Sequence, residues 1–460
     1  MLFCSYVFIL AFLPLTLLGY YSLNRINATA GRCYLLAASF VFYGYFNYSY
    51  LLLLLGSLVF NYAVGGLIER YRQRWVLFLG CTVNLLLLGY YKYYDFFVEN
   101  VNALFGADLV IHHLILPLGI SFFTFQQISY LSDVYHRVLD RRYSLLDYAL
   151  FVSFFPQLIA GPIVLANEMM PQFARKDNLK LNYGNFSCGI FIFSLGLAKK
   201  MLVADNLALV ADRVFALSEP CFADSLIGSL AYALQLYFDF SGYSDMAIGI
   251  GAMFNIMLPV NFLSPFRSAN IQDFWRRWHI TLGRFLAQFV YRPLGGNKKG
   301  VFRTGINLMV TFLLCGLWHS ASWLMILWGG IQGLAIILHR IWSKGLNLRM
   351  PRLAGVTLTF VFSWLTLIFY RAENVTQLKR VLGGFGNFAK EGFSLAWESL
   401  DAFSMILLVV SLGIVFLLPP ANSFRDGFKP APWHWIAAMV LLICSIFCFS
   451  RISPFIYFNF

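Results

Sequence analysis

The sequence predicts an all-α, polytopic membrane protein, and three observations support this fold class. Hydrophobic residues make up 60% of the 460 residues and charged residues only 12%, whereas soluble globular domains contain about 25% charged residues. The mean hydropathy is +0.69. Apolar stretches as long as a membrane-spanning helix also recur along the whole chain.

A helix needs about 20 apolar residues to cross a lipid bilayer. On this criterion we expect roughly 11–13 membrane-embedded helices, some of them broken or re-entrant. Their expected ranges are 3–22, 33–47, 50–68, 75–97, 111–131, 145–165, 186–203, 225–256, 306–318, 320–342, 353–370, 402–418 and 433–450. We expect one domain over residues 1–460, with N-terminal helices in 1–110, a core in about 111–342 and C-terminal helices in 353–460.

The net charge of +13 does not indicate nucleic-acid binding, because the basic residues lie in loops between apolar segments. Membrane topology and contact with anionic lipid explain this distribution better. The eight cysteines are scattered along the chain and form no CxxC pair. We therefore predict structural thiols and no metal site.

Lysine and arginine are concentrated in a few loops, which predicts the orientation of the chain. Residues 267–303 contain eight Lys or Arg and one acidic residue, and residues 340–352 contain four Lys or Arg. Loop 98–110 contains two acidic residues and no Lys or Arg. Loops 22–32 and 69–74 contain two and three arginines. Under the positive-inside rule these loops and the two basic regions are cytoplasmic, and the N-terminus lies outside.

The apolar stretch between these two basic regions contains His319. Residues 306–341 would form roughly 54 Å of helix, which is too long for one span and short for two spans with a turn. A helix that starts at Arg303 would reach His319 after roughly 24 Å. We therefore expect His319 in a turn inside the membrane, nearer its outer half.

An imidazole at that depth is costly to bury unless it is hydrogen-bonded or functional, which makes His319 a candidate site residue. Trp318 and Trp323 flank it in the sequence. The structural alternative is a histidine that caps a helix or binds a backbone carbonyl group.

A second histidine, His279, ends the amphipathic run 270–279. Arg276 and Arg277 are expected on the wet face of this run, and Phe274, Trp275 and Trp278 against lipid. We expect Asp273 to cap or start the helix. An interfacial helix with aromatic anchors explains this pattern structurally, and His279 can still face a cavity.

Two carboxylates, Asp239 and Asp245, interrupt an otherwise apolar stretch. They could line a polar cavity or orient a histidine, although a spacing of six residues puts them on different faces of an unbroken helix. Hydrogen bonding between helices is the alternative, especially for Ser241 and Ser244.

The loop 292–300 is rich in glycine and contains Lys298 and Lys299. Its backbone amides and lysines could bind the phosphates of a nucleotide-like donor. It lacks a Walker motif, so a basic cytoplasmic loop is the simpler interpretation. Pro and Gly in 116–127 and 160–162 predict broken helices, which fit a tunnel, a channel or a transporter equally well.

Together these segments resemble the membrane-bound O-acyltransferase (MBOAT) family, specifically its bacterial alginate O-acetyltransferase-like branch. Ser320 departs from the branch, which usually has Gly after the histidine. The resemblance covers roughly residues 30–375 and rests on Leu116–Gln127, Phe154–Pro162, Tyr237–Gly249, Asn261, Pro265-Phe266, Phe274–Thr281, Arg292–Asn297, Gly316–His319 and Phe369–Asn374.

The resemblance implies helices around a central tunnel, with His319 as the catalytic base and His279 as a second active-site position. A neutral imidazole is suited to accept the proton of a hydroxyl that attacks an acyl thioester. Trp318, Trp323, His279 and backbone amides are the candidate donors to the oxyanion that develops. The basic segment 267–303 would attract the phosphates of a CoA-type donor.

The implied activity is O-acetylation of an exopolysaccharide or peptidoglycan at the bacterial inner membrane. Acetyl-CoA is the expected donor, no other cofactor is expected, and a periplasmic esterase-like acetyltransferase is the expected partner. One alternative is D-alanyl transfer to teichoic acid from an acyl carrier protein. The other is a non-enzymatic transporter or channel, whose flux would survive the loss of His319.

Overall fold

The computed structural model describes residues 1–348, 350–388, 402–449 and 455–456, and the regular secondary structure of these residues is entirely helical. Two apolar helices, Ala402–Leu417 and Pro432–Phe447, are shorter than a full span. Seven helices in the described part of the chain are long and apolar enough to cross a membrane: Val7–Ile26, Tyr48–Tyr71, Arg74–Phe105, Tyr183–Ala216, Gly300–His319, Trp323–Ser343 and Arg352–Arg371. The predicted all-α, multi-pass class is confirmed.

Unit 1, the first of two compact units, comprises Met1–Leu195, Ser244–Pro259 and Phe424–Leu441. Its first segment contains the helices Val7–Phe12, Leu13–Ile26, Ala28–Gly44, Tyr48–Tyr71, Arg74–Phe105, Ile120–Tyr135, Leu145–Ser153, Phe155–Leu158, Ala166–Ala174, Lys176–Leu179 and most of Tyr183–Ala198. The helix Phe222–Met253 ends in this unit, and Pro432–Phe447 begins in it.

Unit 2 comprises Gly196–Tyr243, Val260–Ser423 and Leu442–Phe460. Its helices are Lys199–Ala204, Asp205–Ala216, the first part of Phe222–Met253, Pro265–Arg267, Ile271–Arg277, Ile280–Leu286, Ala287–Tyr291, Gly300–His319, Trp323–Arg340, Ile341–Gly345, Arg352–Arg371, Val375–Gly384, Phe385–Asn387 and Ala402–Leu417. A short helix, Ala421–Phe424, spans the boundary with unit 1. The single domain over 1–460 with a core at 111–342 stays a prediction.

Two of the expected helices in unit 1 are interrupted. The helix expected over 111–131 begins only at Ile120, because Gly119 adopts a positive φ of 73°. A Cβ atom at Gly119 would lie 2.7 Å from the backbone oxygen of Leu158, so only glycine fits this turn. The region 145–165 forms two short helices, Leu145–Ser153 and Phe155–Leu158, and then a loop. The expected helix breaks are thus confirmed.

Hydrogen bonds between amide side chains join three helices inside unit 1. Asn61 Nδ2 donates to Asn84 Oδ1 over 3.0 Å and to Gln127 Oε1 over 2.9 Å. Asn84 Nδ2 donates back to Asn61 Oδ1 over 2.6 Å. Such bonds contribute about 0.6–2 kcal/mol each between membrane helices, and they give polar residues of apolar segments a structural role.

A buried ion cluster in unit 2 joins the Lys199–Ala204 turn to the long helix Phe222–Met253. Lys200 Nζ lies 2.9 Å from Asp205 Oδ1 and 2.6 Å from Asp239 Oδ1. Asp239 Oδ2 accepts a hydrogen bond from the backbone N–H of Ile456 over 2.9 Å. Lys200 Nζ also lies 4.6 Å from the centre of the Phe455 ring. The cluster therefore binds residues 455–456 to the interior of unit 2.

Replacing Lys200 by Met is expected to destabilise the protein by about 3–5 kcal/mol, because two buried carboxylates lose their counterion. Thermal unfolding of the purified protein in detergent measures the effect. The neighbouring, less buried Lys199→Met is the matched control. If Lys200→Met and Lys199→Met unfold at the same temperature, the role of the cluster is contradicted. Adding Asp205→Asn and Asp239→Asn to Lys200→Met should restore part of the lost stability.

Candidate active site

Two helices of unit 2, Gly300–His319 and Trp323–Arg340, form a closely packed helix pair. A Cβ atom at Gly316 would overlap the backbone oxygen of Met325, and one at Gly329 would overlap the backbone oxygen of Phe312. Small residues allow this close approach of helix backbones. The connecting residues 320–322 place His319 at the end of the first helix, as the sequence predicts.

The His319 side chain is buried, with 1% exposure, against aromatic rings. Its Nδ1 atom lies 2.9 Å from the hydroxyl oxygen of Tyr370. The centre of its ring lies 5.3 Å from that of Tyr370 and 5.5 Å from that of Trp328. The Tyr370 and Trp328 rings are 5.4 Å apart, so the three rings form a compact triangle.

His279 lies between the short helices Ile271–Arg277 and Ile280–Leu286, in the left-handed region with φ 44° and ψ 53°. The preceding loop holds this conformation. The backbone N–H of Ile280 donates to Asn261 O over 3.0 Å, and the backbone N–H of Leu263 donates to Arg277 O over 3.0 Å. A non-glycine residue in this region is uncommon and is kept where the surroundings require it.

Hydrogen bonds to Asn261 determine the tautomer of His279. Asn261 Oδ1 accepts from the backbone N–H of Thr281 over 3.2 Å and from its hydroxyl over 3.0 Å, so this atom is the amide oxygen. His279 Nδ1 lies 3.1 Å from the same oxygen and must donate to it. The proton is thus on Nδ1, and Nε2 is the acceptor atom of the ring.

Burial lowers the pKa of His279, which lies outside the seven apolar spans, to about 3. The side chain is therefore neutral at physiological pH, because desolvation disfavours the imidazolium form.

The two histidines, 40 residues apart in the sequence, lie next to each other in unit 2. Their ring centres are 6.4 Å apart. The Trp318 ring is 5.9 Å from His279 and 4.8 Å from His319. Phe240 covers His279 at 4.8 Å. The structure thus brings His279, His319 and Trp318 together, as expected for one site.

Other predicted site residues lie elsewhere. The Trp323 side chain is 64% exposed, so the structure does not bring it to the histidine pair. Asp239 belongs to the Lys200 ion cluster, and Asp245 is buried in the part of Phe222–Met253 that belongs to unit 1.

The side chains of Lys298 and Lys299 are exposed, and their binding of phosphate stays a prediction.

The amphipathic run before His279 differs from the expectation in two respects. Asn270, and not Asp273, caps the helix by accepting from the backbone N–H of Asp273 over 2.8 Å. Phe274 and Trp278 are buried against protein and stack on each other at 5.6 Å. The prediction that they face lipid was wrong, because the Val260–Arg267 region supplies rings such as Phe266 for them to pack on.

A cavity of about 400 Å³ in unit 2 borders both histidine-bearing segments, although the two histidines and Trp328 are not among its lining residues. Its lining includes Cys315, one helical turn before His319, and Ile280, the residue after His279. Arg276 and Arg284 also line it, together with apolar residues. Arg277 is not among the lining residues and forms an ion pair of 2.9 Å with Asp273. The cavity can therefore hold an amphiphilic molecule that carries negative charge.

Three residues at the site had no assigned role in the sequence: Asn261, Trp328 and Tyr370. Asn261 and Tyr370 lie in segments that carry the family resemblance, but their partners, His279 and His319, are 18 and 51 residues away. Trp328 is one of three tryptophans in residues 318–328, and composition does not distinguish it from Trp323.

Comparisons with known proteins identify the family of the chain. The chain is 42% identical to the peptidoglycan O-acetyltransferase of Helicobacter pylori, over the whole chain and 98% of that protein. It is 38% identical to a probable alginate O-acetylase of Pseudomonas putida over the full length of both. The teichoic acid D-alanyltransferase of Bacillus subtilis is 27% identical over 51% of this chain and 61% of that protein. Residues 40–377 match the sequence model of the membrane-bound O-acyltransferase family, and the chain belongs to that family.

Proposed function

We propose that this chain is an acetyltransferase of the bacterial inner membrane that serves the O-acetylation of a cell-surface polysaccharide. The full-length similarity to proteins named for O-acetylation of peptidoglycan and alginate supports the reaction class. The buried pair His279–His319 beside a cavity is the observation that carries the assignment to a site.

In the proposed reaction His319 acts as the general base through Nε2. This role requires the other ring proton on Nδ1, where it is donated to the hydroxyl oxygen of Tyr370 at 2.9 Å. Nε2 takes the proton of the attacking hydroxyl as its oxygen adds to the thioester carbonyl carbon. The C–S bond then breaks, and the imidazolium returns the proton to the departing thiolate, so that the ester and the free thiol are the products.

His279 has a different proposed role, because its Nδ1–H donates to Asn261, whereas that of His319 faces the Tyr370 hydroxyl. Its Nε2 atom still accepts hydrogen bonds, since Nδ1 is protonated towards Asn261. We assign it to orienting the acceptor molecule by accepting from a second hydroxyl of that molecule, because the single proton of the attacking hydroxyl goes to His319.

The donor is proposed to be acetyl-CoA, bound in the cavity that Arg276 and Arg284 line. Arginine binds phosphate groups through paired, charge-assisted hydrogen bonds. The segment 267–303, with eight Lys or Arg including Lys298 and Lys299, would attract the same phosphates from the cytoplasm. The polymer is acetylated on the other side, where we expect a periplasmic esterase-like acetyltransferase as partner.

Reversing the charge in the cavity tests the donor. Arg284→Glu is expected to raise the KM for acetyl-CoA about 10- to 100-fold, because a phosphate contact worth about 1.5–3 kcal/mol becomes a repulsion. Acetyl-CoA turnover by the purified protein measures it. Arg352→Glu, an exposed arginine outside the cavity, is the control and should keep the KM of the unchanged protein.

An equal KM in both variants would contradict the donor site. Turnover of a D-alanyl carrier protein with no turnover of acetyl-CoA would favour the D-alanyl alternative. Substrate flux without any acyl transfer would favour the transporter.

A further inference from the structure

The indole of Trp328 is 3% exposed, and its Nε1–H has no hydrogen-bond acceptor among the residues that the structure describes. A buried donor without an acceptor costs about 1–3 kcal/mol. Such groups are few in native structures, and each calls for an explanation.

Two other tryptophans of unit 2 have protein acceptors. Trp275 Nε1 donates to Gln332 Oε1 over 3.2 Å, and Trp364 Nε1 donates to Ser229 Oγ over 3.0 Å. Gln332 lies one turn after Trp328 on the same helix, but its oxygen accepts from Trp275 and its amide donates to Thr366 Oγ1. The side chain of Gln332 is thus already hydrogen-bonded to partners other than Trp328.

The position of Trp328 connects this donor to the chemistry. Its ring centre lies 5.5 Å from that of His319 and the two ring planes are nearly perpendicular, at 82°. The close crossing of the helix pair at Gly316 and Gly329 fixes this arrangement, because Gly329 directly follows Trp328. The indole therefore has little freedom to move away from His319.

We propose that Trp328 is a catalytic residue whose Nε1–H donates to the acyl oxygen of the thioester. The inference rests on the proposed function, in which His319 is the base. When the hydroxyl oxygen adds to the carbonyl carbon, the C=O electron pair moves to that oxygen, and the N–H bond stabilises the negative charge without giving up its proton. The charge returns to the carbonyl bond as the C–S bond breaks. The exposed Trp323 has no such position.

Removal of this single N–H tests the inference. A benzothienylalanine at position 328 keeps the shape of the indole and replaces N–H by sulfur, and Trp328→Phe is the simpler variant. We expect kcat for acetyl-CoA turnover to fall about 10²- to 10³-fold, as on the loss of one oxyanion donor. The KM and the unfolding temperature should change little. Trp364→Phe, which loses an indole bonded to Ser229, should keep its kcat.

The outcomes separate the two proposals. If the variant with benzothienylalanine at position 328 keeps the kcat of the unchanged protein while His319→Ala is inactive, the role of Trp328 is overturned. The role of His319 as the base then still stands. Full activity of His319→Ala overturns the proposed base and this inference with it. A loss of kcat at Trp328 with an unchanged unfolding temperature supports both.

Discussion

His319→Ala is expected to lower the rate of acetyl transfer by about 10²- to 10⁴-fold, the contribution of a positioned general base. The hydroxyl then attacks without its proton acceptor, because the proposed role of His279 is to orient the acceptor molecule. The measurement is the O-acetyl content of surface glycans by mass analysis, in cells that produce equal amounts of each variant.

His319→Gln is a second variant, because its amide N–H can still donate to the Tyr370 hydroxyl oxygen and so preserves the packing. His339→Ala, at the far end of the Trp323–Arg340 helix, is the matched histidine control. Near-normal O-acetylation by His319→Ala at normal protein levels would remove His319 from the chemistry.

Gly329→Ala is expected to impair the protein nearly as severely, although it touches no substrate. The added Cβ overlaps the backbone oxygen of Phe312, which cannot rotate away, so the helix pair has to separate. Overpacking of this kind costs about 1–3 kcal/mol, and a shift of about 1 Å in a reacting group can cost about 10²-fold in rate. Trp328 and His319 lie on different helices of this pair and would move apart.

Gly330→Ala is the control, because its Cβ would meet only Leu313 Cδ2 at 3.5 Å, an ordinary contact. Activity and unfolding temperature of the two purified variants are compared in the same detergent. Equal activity of Gly329→Ala and Gly330→Ala would mean that the close crossing does not hold the site.

The fold class and the turn at His319 were accessible from the sequence for physical reasons, whereas the pairing of His279 with His319 was implied by the family resemblance. Apolar length determines which segments can cross a membrane, and an imidazole in such a segment is conspicuous. Helix-length arithmetic placed the turn at His319, where the helix Gly300–His319 indeed ends. These inferences depend on local sequence, which is why they succeeded.

Contacts between segments that are far apart in the sequence could not be predicted from the sequence. Nothing local indicates that Tyr370 meets His319 across 51 residues or that Lys200 meets Asp239 across 39 residues. Asp239 therefore resembled a site carboxylate, while the structure makes it part of an ion cluster. Trp323 and Trp328 differ by five positions, and only the helix direction after residues 320–322 decides that one is exposed and the other buried.

A structure of the purified protein with a non-hydrolysable acetyl-CoA analogue tests the central claim most directly. We predict that the phosphates lie beside Arg276 and Arg284 and that the acyl carbonyl oxygen lies within hydrogen-bond distance of Trp328 Nε1. The carbonyl carbon should be close enough to His319 for a hydroxyl oxygen to fit between them, with reacting atoms roughly 3–3.5 Å apart. An acyl group bound away from His319, with the cavity empty, would contradict the account.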